Sequence, residues 1–497
     1  MLLQLADKGE SGGCVGYVEC HDQALAGLFS ENHDGRTGGC EAWVQSLWDG
    51  HSSILWDYRL GTSKQIFGTW RLSEGQEKRS ILGRILSMGG EVGKRVSSGV
   101  RSLGCGIVML AAASLSWASE VNSSPLSRDP LVREAYEHFY NLDYPGAVDR
   151  FERFHAAHPG DPLPTAFLLE AVVFQELYRQ DLLDTTFYAN DGFLTGRHAT
   201  EEDPRTRDRV FALADEVISE ADWRISRNPN DIDALYARGW ARSLKCAYLA
   251  MVDRGFGAGF RLATKAKDDD VRVLQLDPNY VDAKLVVGVY EYVVGALPWP
   301  FKVLIGFAGI TGSKTRGLEM LKDDASRGAT TNVEARTVIA LFLRREARYK
   351  EAIQVVRSLK GQYPHDYLFC LEEANLRKDA GEGMGAVTAY RELIGHSAKP
   401  GYFAEARLEL ANFGLGDALR GQRQYDEAAR AYEQAAWSKT VGPELKMRSL
   451  LAAGECHDLN GERQAAVSDY QMAINAGPNT SRADTARKRL QTPYKGT

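Results

Sequence analysis

The 497-residue sequence carries 60 Lys and Arg against 66 Asp and Glu, a formal charge of -6, with 44% hydrophobic and 25% charged residues. Those values describe an ordinary folded protein with ample core and exclude fibrous, disordered and disulfide-dense classes. A slightly acidic chain also lacks the cationic footprint that meets phosphates, so nucleic acid is not an expected partner.

Residues 1–87 contain Cys14, Cys20, Cys40, four of the nine Trp and many Gly, without a sustained helical period. From Met88 the pattern changes. Lys94, Arg95 and Arg101 lead into an apolar run from Leu103 to Leu115, and Ser116-Trp117-Ala118 places small residues at minus three and minus one. This is the layout of a secretory signal peptide, with cleavage expected after Ala118. The run is short for a bilayer span. Cys105 stands at the start of the run rather than after it, so it is not expected to be lipidated. Because a signal peptide works at the start of a chain, translation is expected to begin at Met88. The expected organisation is an extension at 1–87 outside the native protein, a signal peptide at 88–118 and a periplasmic or secreted domain at 119–497. Cys246, Cys370 and Cys456, odd in number and far apart, predict buried helix residues rather than disulfides or a metal site.

Four segments of that domain share a spacing: a small residue, an aromatic or apolar residue four on, and a small or apolar residue seven on. They are Ala147, Phe151, Phe154; Ala352, Val356, Leu359; Ala428, Tyr432, Ala435; and Ala466, Tyr470, Ala473. Pro159, Pro364 and Pro478 follow three of them, and Tyr144, Tyr349 and Tyr425 precede three. Four-and-three spacing puts these side chains on one helical face, and proline then ends the helix. Upstream, Leu415-Gly416 and Ala453-Gly454 suit the tight crossing of a partner helix. In mid-chain, Pro229-Asn230-x-x-Asp233-Ala234 with Gly239 is echoed by Pro278-Asn279-x-x-Asp282-Ala283 with Gly288. The 49-residue offset predicts an insertion, with Gly255 to Gly259 in an inserted loop. A long loop is expected at Tyr188 to Pro204.

A helix hairpin of about 34 residues carrying these positions resembles the tetratricopeptide repeat. The resemblance implies an all-α helix-hairpin solenoid, a right-handed superhelix whose stacked units share one core and leave an inner groove. From Gly288-x-Tyr290 through Leu297-Pro298, Gly306-Phe307-x-Gly309 and Gly317-Leu318 to Glu346-x-Arg348-Tyr349-x-x-Ala352, the chain also resembles the eukaryotic inclusion-body clearance family of such proteins. Its members are adaptor-like and no catalytic residues transfer. In tetratricopeptide proteins ligands lie along the first helices of the hairpins. That places Phe413, Asp417, Arg420, Leu451, Glu455 and Asp458 in the candidate protein-binding groove. Chaperone-binding relatives carry Lys and Asn at the Phe413 and Asp417 sites, so a carboxylate-terminated peptide is not expected. The mixed apolar and acidic lining predicts a basic or amphipathic protein segment instead.

No catalytic residue, cofactor or metal is expected from the sequence. Gly306 to Thr315 approximates a phosphate-binding loop, but Ser313 separates the last glycine from Lys314 and the strand–helix context is missing, so an interhelical turn is expected. His138, His155, His158 and Asp161 lack zinc-ligand spacing and read as helix-end residues. Asp268-Asp269-Asp270 and Glu201-Glu202-Asp203 read as solvated faces. The apolar stretch Leu285 to Ile310, broken by Pro298 and Pro300, predicts buried helices around a turn, with a surface for membrane contact as the alternative. The leading expectation is an exported scaffold or adaptor in an envelope assembly. The alternatives are a membrane-associated adaptor using 285–310, and an enzyme or ligand-binding protein whose site is assembled from scattered residues.

Overall fold

The computed structural model describes residues 121–189, 203–297 and 310–496, which contain seventeen α-helices and no strand beyond one isolated bridge between Asn122 and Tyr280. The expected extension and signal peptide lie outside the described residues. In chain order the helices are α1 (Pro130–Phe139), α2 (Tyr144–Ala157), α3 (Pro162–Arg179), α4 (Pro204–Arg227), α5 (Ile232–Met251), α6 (Phe256–Leu276), α7 (Lys284–Ala296), α8 (Lys314–Arg327) and α9 (Asn332–Arg345). They continue as α10 (Tyr349–Gln362), α11 (Tyr367–Asp379), α12 (Gly383–Ser397), α13 (Leu408–Gly421), α14 (Tyr425–Ala436), α15 (Pro443–Leu459), α16 (Arg463–Ala476) and α17 (Ser481–Gln491). Each packs on the next, giving eight hairpins and a final single helix. This is an all-α, tetratricopeptide-type helix-hairpin solenoid.

Local chemistry explains where helices begin. Asp129, Asp161 and Asp203 accept a backbone N–H from two residues on, each followed by a proline that needs no N–H partner in the first turn. Asp143, Asp231 and Asp366 cap α2, α5 and α11 by accepting the N–H three residues on. The tyrosines noted in the sequence, Tyr144, Tyr349 and Tyr425, are the first residues of α2, α10 and α14.

All twelve residues of the four-fold spacing lie on second helices of hairpins and are at most 1% exposed. The crossing glycines fit as their size requires. A Cβ on Gly416 would stand 2.6 Å from the Tyr432 ring, and one on Gly454 would stand 2.7 Å from Tyr470. Two more second helices carry the spacing. In α12 it is Ala386, Tyr390 and Leu393; in α6 it is Ala266, Asp270 and Val273, with an acid at the aromatic position. A Cβ on Gly239 would stand 2.8 Å from Asp270 Oδ1, so the carboxyl fills the place of a ring.

The backbone repeats as well. Five residues before the small residue, Leu142, Ala347, Gly381, Arg423 and Gly461 all take positive φ, from 55° to 80°, to turn the chain between helices. L side chains are strained there by about 1 kcal/mol relative to glycine. Gly461→Ala is therefore expected to lower stability by about 1 kcal/mol and Ala347→Gly to raise it by a few tenths or more, read as shifts of the urea midpoint.

Two expectations are corrected. Gly255 to Gly259 is no inserted loop: Gly255 precedes α6 and the others lie in its first turn, with Gly259 closing against Cys246. Long helices, 20 residues in α5 and 21 in α6, absorb the extra length. Nor are Asp269 and Asp270 solvated, although Asp268 is exposed. Asp269 is 6% exposed and paired with Arg238 and Arg242, and Asp270 is fully buried. Burial first, and then Asp269, hold the Asp270 carboxyl in its neutral form.

The array also departs from strict neighbour-to-neighbour contact. Tyr140 donates to Glu334 at 2.6 Å, Tyr178 to the Glu405 carbonyl at 2.8 Å, and Arg407 to Asp181 at 2.6 Å. The first two hairpins thus seat against the fifth, the sixth and the segment leading into the seventh. Arg344 on α9 ties this seam. Its side chain is 2% exposed, meets Glu372 at 3.0 Å and Asp379 at 2.6 Å, and donates to Thr185 at 2.7 Å.

Candidate functional site

The six groove residues fall on α13 and α15, the first helices of the last two hairpins. Phe413 packs on Tyr432 with ring centroids 5.4 Å apart, and the Arg448 guanidinium lies 4.6 Å over its face. Leu451 is half-buried against the last core cluster. Asp417 accepts the Tyr432 hydroxyl at 2.7 Å and meets Lys378 at 3.3 Å. Arg420 donates to Glu455 at 2.8 Å, and Arg489 meets the other Glu455 oxygen at 3.3 Å. Asp458, with its side chain 1% exposed, accepts from Arg463 at 2.9 Å and from the Tyr470 hydroxyl at 2.8 Å.

These pairs form a ladder with one rung per hairpin. The residue eight before the aligned small residue is Arg344, Lys378 and Arg420 in successive hairpins, and each reaches an acid on the next first helix: Glu372 and Asp379, Asp417, and Glu455. Burial alone would lower the Arg420 pKa, but Glu455 outweighs it and raises it. Burial and then Asp417 raise the Tyr432 hydroxyl far above its ordinary value, and burial with Asp458 does the same to Tyr470, so both stay neutral donors. The acids that predicted a basic partner are thus matched by cations of the chain itself.

Sequence reasoning missed the segment after α17. Tyr494 returns to Asp458 and Arg420 and is 8% exposed. Its backbone N–H donates to Asp458 Oδ2 at 2.7 Å, and its ring faces two guanidiniums, Arg420 at 5.3 Å and Arg489 at 4.4 Å from the centroid. Such cation–π contacts are worth about 0.5–2 kcal/mol each. Arg463 holds the approach by donating to the carbonyls of Arg489 and Leu490 at 2.8 and 2.7 Å. The sole sequence signal was a tyrosine beside the Arg-rich α17.

A second concavity lies at the seam. It is an apolar cavity of about 160 Å³ lined by Phe139, Tyr144, Phe174, Val338, Leu359 and Leu368, among others, with Glu334, Asp366 and Glu372 at its edge. Each acid is engaged by the protein: Glu334 by Tyr140, Asp366 by the Phe369 N–H at 3.0 Å, and Glu372 by Thr185 and Arg344. The volume is near that of ~150 Å³ apolar cavities that admit a benzene-sized guest and below the ~300 Å³ of common ligand pockets.

Burial pushes all three carboxyls up to about 7, against Tyr140 at Glu334, backbone N–H groups at Asp366 and Arg344 at Glu372; burial and Asp282 push Asp324 to about 9. The folded chain therefore keeps protons that the unfolded chain releases near its ordinary values of 4.5 and 3.8. Stability from these groups is complete below those values and is lost as pH rises toward 7, and toward 9 for Asp324. Melting temperature is expected to fall between about pH 5 and pH 8, and Glu334→Gln is expected to flatten the fall.

The remaining candidates resolve singly. His138 bonds Asp143, His155 bonds Thr165, and His158 bonds the Phe154 carbonyl, so the structure does not gather them. Of the phosphate-loop resemblance, residues 306–309 lie outside the described residues. Ser313 caps α8 and Lys314 pairs with Glu346 at 2.8 Å. Glu291 accepts from the Ser313 N–H at 2.9 Å, which sets an acid where a phosphate would need donors. Glu201 and Glu202 also lie outside; Asp203 caps α4. In the apolar stretch, α7 is mostly buried, with Val293 46% exposed, while 298–309, including Trp299, lie outside the described residues. Gly288 and Gly317 mark a close approach of α7 and α8: a Cβ on Gly317 would stand 2.6 Å from the Gly288 carbonyl. No described helix is long and apolar enough to cross a membrane.

No protein-family model matches the chain, and no curated protein sequence matches it. Solved structures that align with the chain include PilF of Pseudomonas aeruginosa, at 16% identity, TM-score 0.33, covering 53% of this chain and 99% of that one. Yeast Tom70 aligns at 10% identity, TM-score 0.34, over 73% of this chain and 88% of its own. A tetratricopeptide repeat protein from Parabacteroides merdae aligns at 14% identity, TM-score 0.29, over 65% and 99%.

Proposed function

We propose that the chain is an exported scaffold or adaptor, acting in an envelope assembly without chemistry of its own, that holds extended protein segments along the first helices of its last hairpins. The observation that carries this reading is the chain's own segment at Tyr494, seated on Asp458 and between Arg420 and Arg489. It supports a surface suited to one backbone N–H for a buried carboxylate and one aromatic ring for a pair of guanidiniums. Partner segments are therefore amphipathic and aromatic. A basic segment is less well served, because Asp417 and Glu455 are already paired.

Panning displayed peptides against the chain lacking residues 492–497 is expected to enrich sequences with Tyr, Phe or Trp, and Arg420→Ala to abolish the enrichment. Enrichment without an aromatic, or none, counts against the groove. The export part rests on the layout from Met88 to Ala118. It predicts that the protein isolated from its source begins at Ser119; peptides from before Met88 contradict it.

One observation favours a second reading. The cavity at the seam could hold a small apolar ligand, and a benzene-sized probe that raised the melting temperature would support that use over a purely structural void.

A further inference from the structure

At positions adjacent in sequence to Asp458 and Tyr470, and one hairpin earlier, three helices bring together an imidazole and two carboxylates. Glu433 on α14, His457 on α15 and Asp469 on α16 each offer one ligand atom, and these three atoms all lie within 4.8 Å of one another. His457 Nε2 stands 3.2 Å from Glu433 Oε1 and 3.6 Å from Asp469 Oδ2. Ligands bound tetrahedrally at ~2.0–2.1 Å stand roughly 3.3 Å apart, so both separations fit around one ion.

Two independent features point to a ligand. Asp469 is 3% exposed, and among the described residues nothing donates a hydrogen bond to its Oδ2, the atom turned to the cluster. A buried carboxylate oxygen left so is costly unless a cation meets it. The other ring nitrogen of His457 meets Glu462 Oε2 at 2.6 Å, and Asn460 donates to Glu462 Oε1 at 2.8 Å. With no ion Nε2 lies within hydrogen-bond reach of Glu433; with an ion bound, the Glu462 carboxylate on Nδ1–H supports the tautomer whose Nε2 lone pair meets the ion, the arrangement that orients metal-bound histidines.

We propose that Glu433, His457 and Asp469 bind one divalent transition cation of the zinc class. An imidazole ligand disfavours Mg²⁺ and Ca²⁺, which take oxygen donors. The ion would clasp the last two hairpins together, because its ligands come from α14, α15 and α16. His457 adjoins Asp458, and Asp469 adjoins Tyr470, which donates to Asp458, so the clasp braces the surface on which Tyr494 rests.

The test uses the whole chain, freed of metal by chelator and titrated with ZnCl₂ or CoCl₂, with MgCl₂ as comparison. One-to-one binding of Zn²⁺, a raised melting temperature and visible Co²⁺ absorption bands are expected, with no response to Mg²⁺. Asp469→Asn and Glu433→Gln should abolish the Co²⁺ bands, and Glu462→Gln should weaken Zn²⁺ binding by about 10- to 100-fold. Glu433 is partly exposed, so Glu433→Gln is not expected to impair folding, and circular dichroism checks it. The proposal is overturned if the wild-type chain binds no Zn²⁺ at one-to-one stoichiometry. It is equally overturned if Glu433→Gln and Asp469→Asn bind as the wild type does. A Zn²⁺-indifferent chain destabilised by Asp469→Asn would mean that His457 serves only as a charged ion-pair partner.

Discussion

Arg344→Ala is expected to lower the stability of the repeat array by about 3–5 kcal/mol, the effect of removing one partner from a buried ion pair. Its guanidinium is 2% exposed and carries Glu372, Asp379 and Thr185 at once, so the truncated side chain leaves two acids without their cation. Glu372 responds most, because Arg344 is what opposes the burial that pushes its carboxyl to about 7. Part of the loss should be recovered by Glu372→Gln in the same chain, since a neutral amide does not need the guanidinium. Urea unfolding of the single and double variants measures both. A loss under 1 kcal/mol would mean that the seam between the first hairpins and the fifth and sixth contributes little.

Gly454→Val is the second large effect. A Cβ at this position would lie 2.7 Å from the Tyr470 ring and 3.1 Å from the Ala466 carbonyl, and neither can retreat from a core where Ala466 and Tyr470 are fully buried. Overpacking of this kind costs about 1–3 kcal/mol, and a β-branched residue that also separates two helix axes belongs at the upper end. Gly421→Val in the same array is the comparison, since a Cβ there meets nothing within 4 Å. It should cost little or slightly stabilise, since valine has a higher helix propensity than glycine. Equal losses at the two positions would contradict the tight-crossing account.

The fold was legible because its signals are local. Ala466, Tyr470 and Ala473 lie within two turns of one helix, and the proline after them stops that helix, so spacing alone locates the buried face. The same signal was present but unread in α6, where Asp270 occupies the ring position. An acidic run looks solvated until a partner helix with Arg238 and Arg242 is placed against it. The groove positions followed from hairpin alignment, but their chemistry did not. Lys378 to Asp417 and Arg420 to Glu455 are contacts one repeat apart, visible only when the hairpins are written one above another. The seam was beyond local reading altogether, since Tyr140 and Glu334 are 194 residues apart. His457 escaped because its partners stand on two other helices, 24 residues before and 12 after, a spacing no ligand motif encodes.

The account turns on whether the surface holding Tyr494 accepts a segment from outside. A labelled peptide covering residues 490–497, titrated into the full chain and into the chain lacking 492–497, measures this by fluorescence anisotropy. A tethered segment acts at roughly millimolar effective concentration, so a free peptide with Kd of about 10–100 μM should bind the shortened chain about 10- to 100-fold more tightly than the full one. Replacing the peptide's tyrosine by alanine should remove that binding. Equal affinity for both chains, or none for either, would contradict the claim that this surface is a segment-binding site.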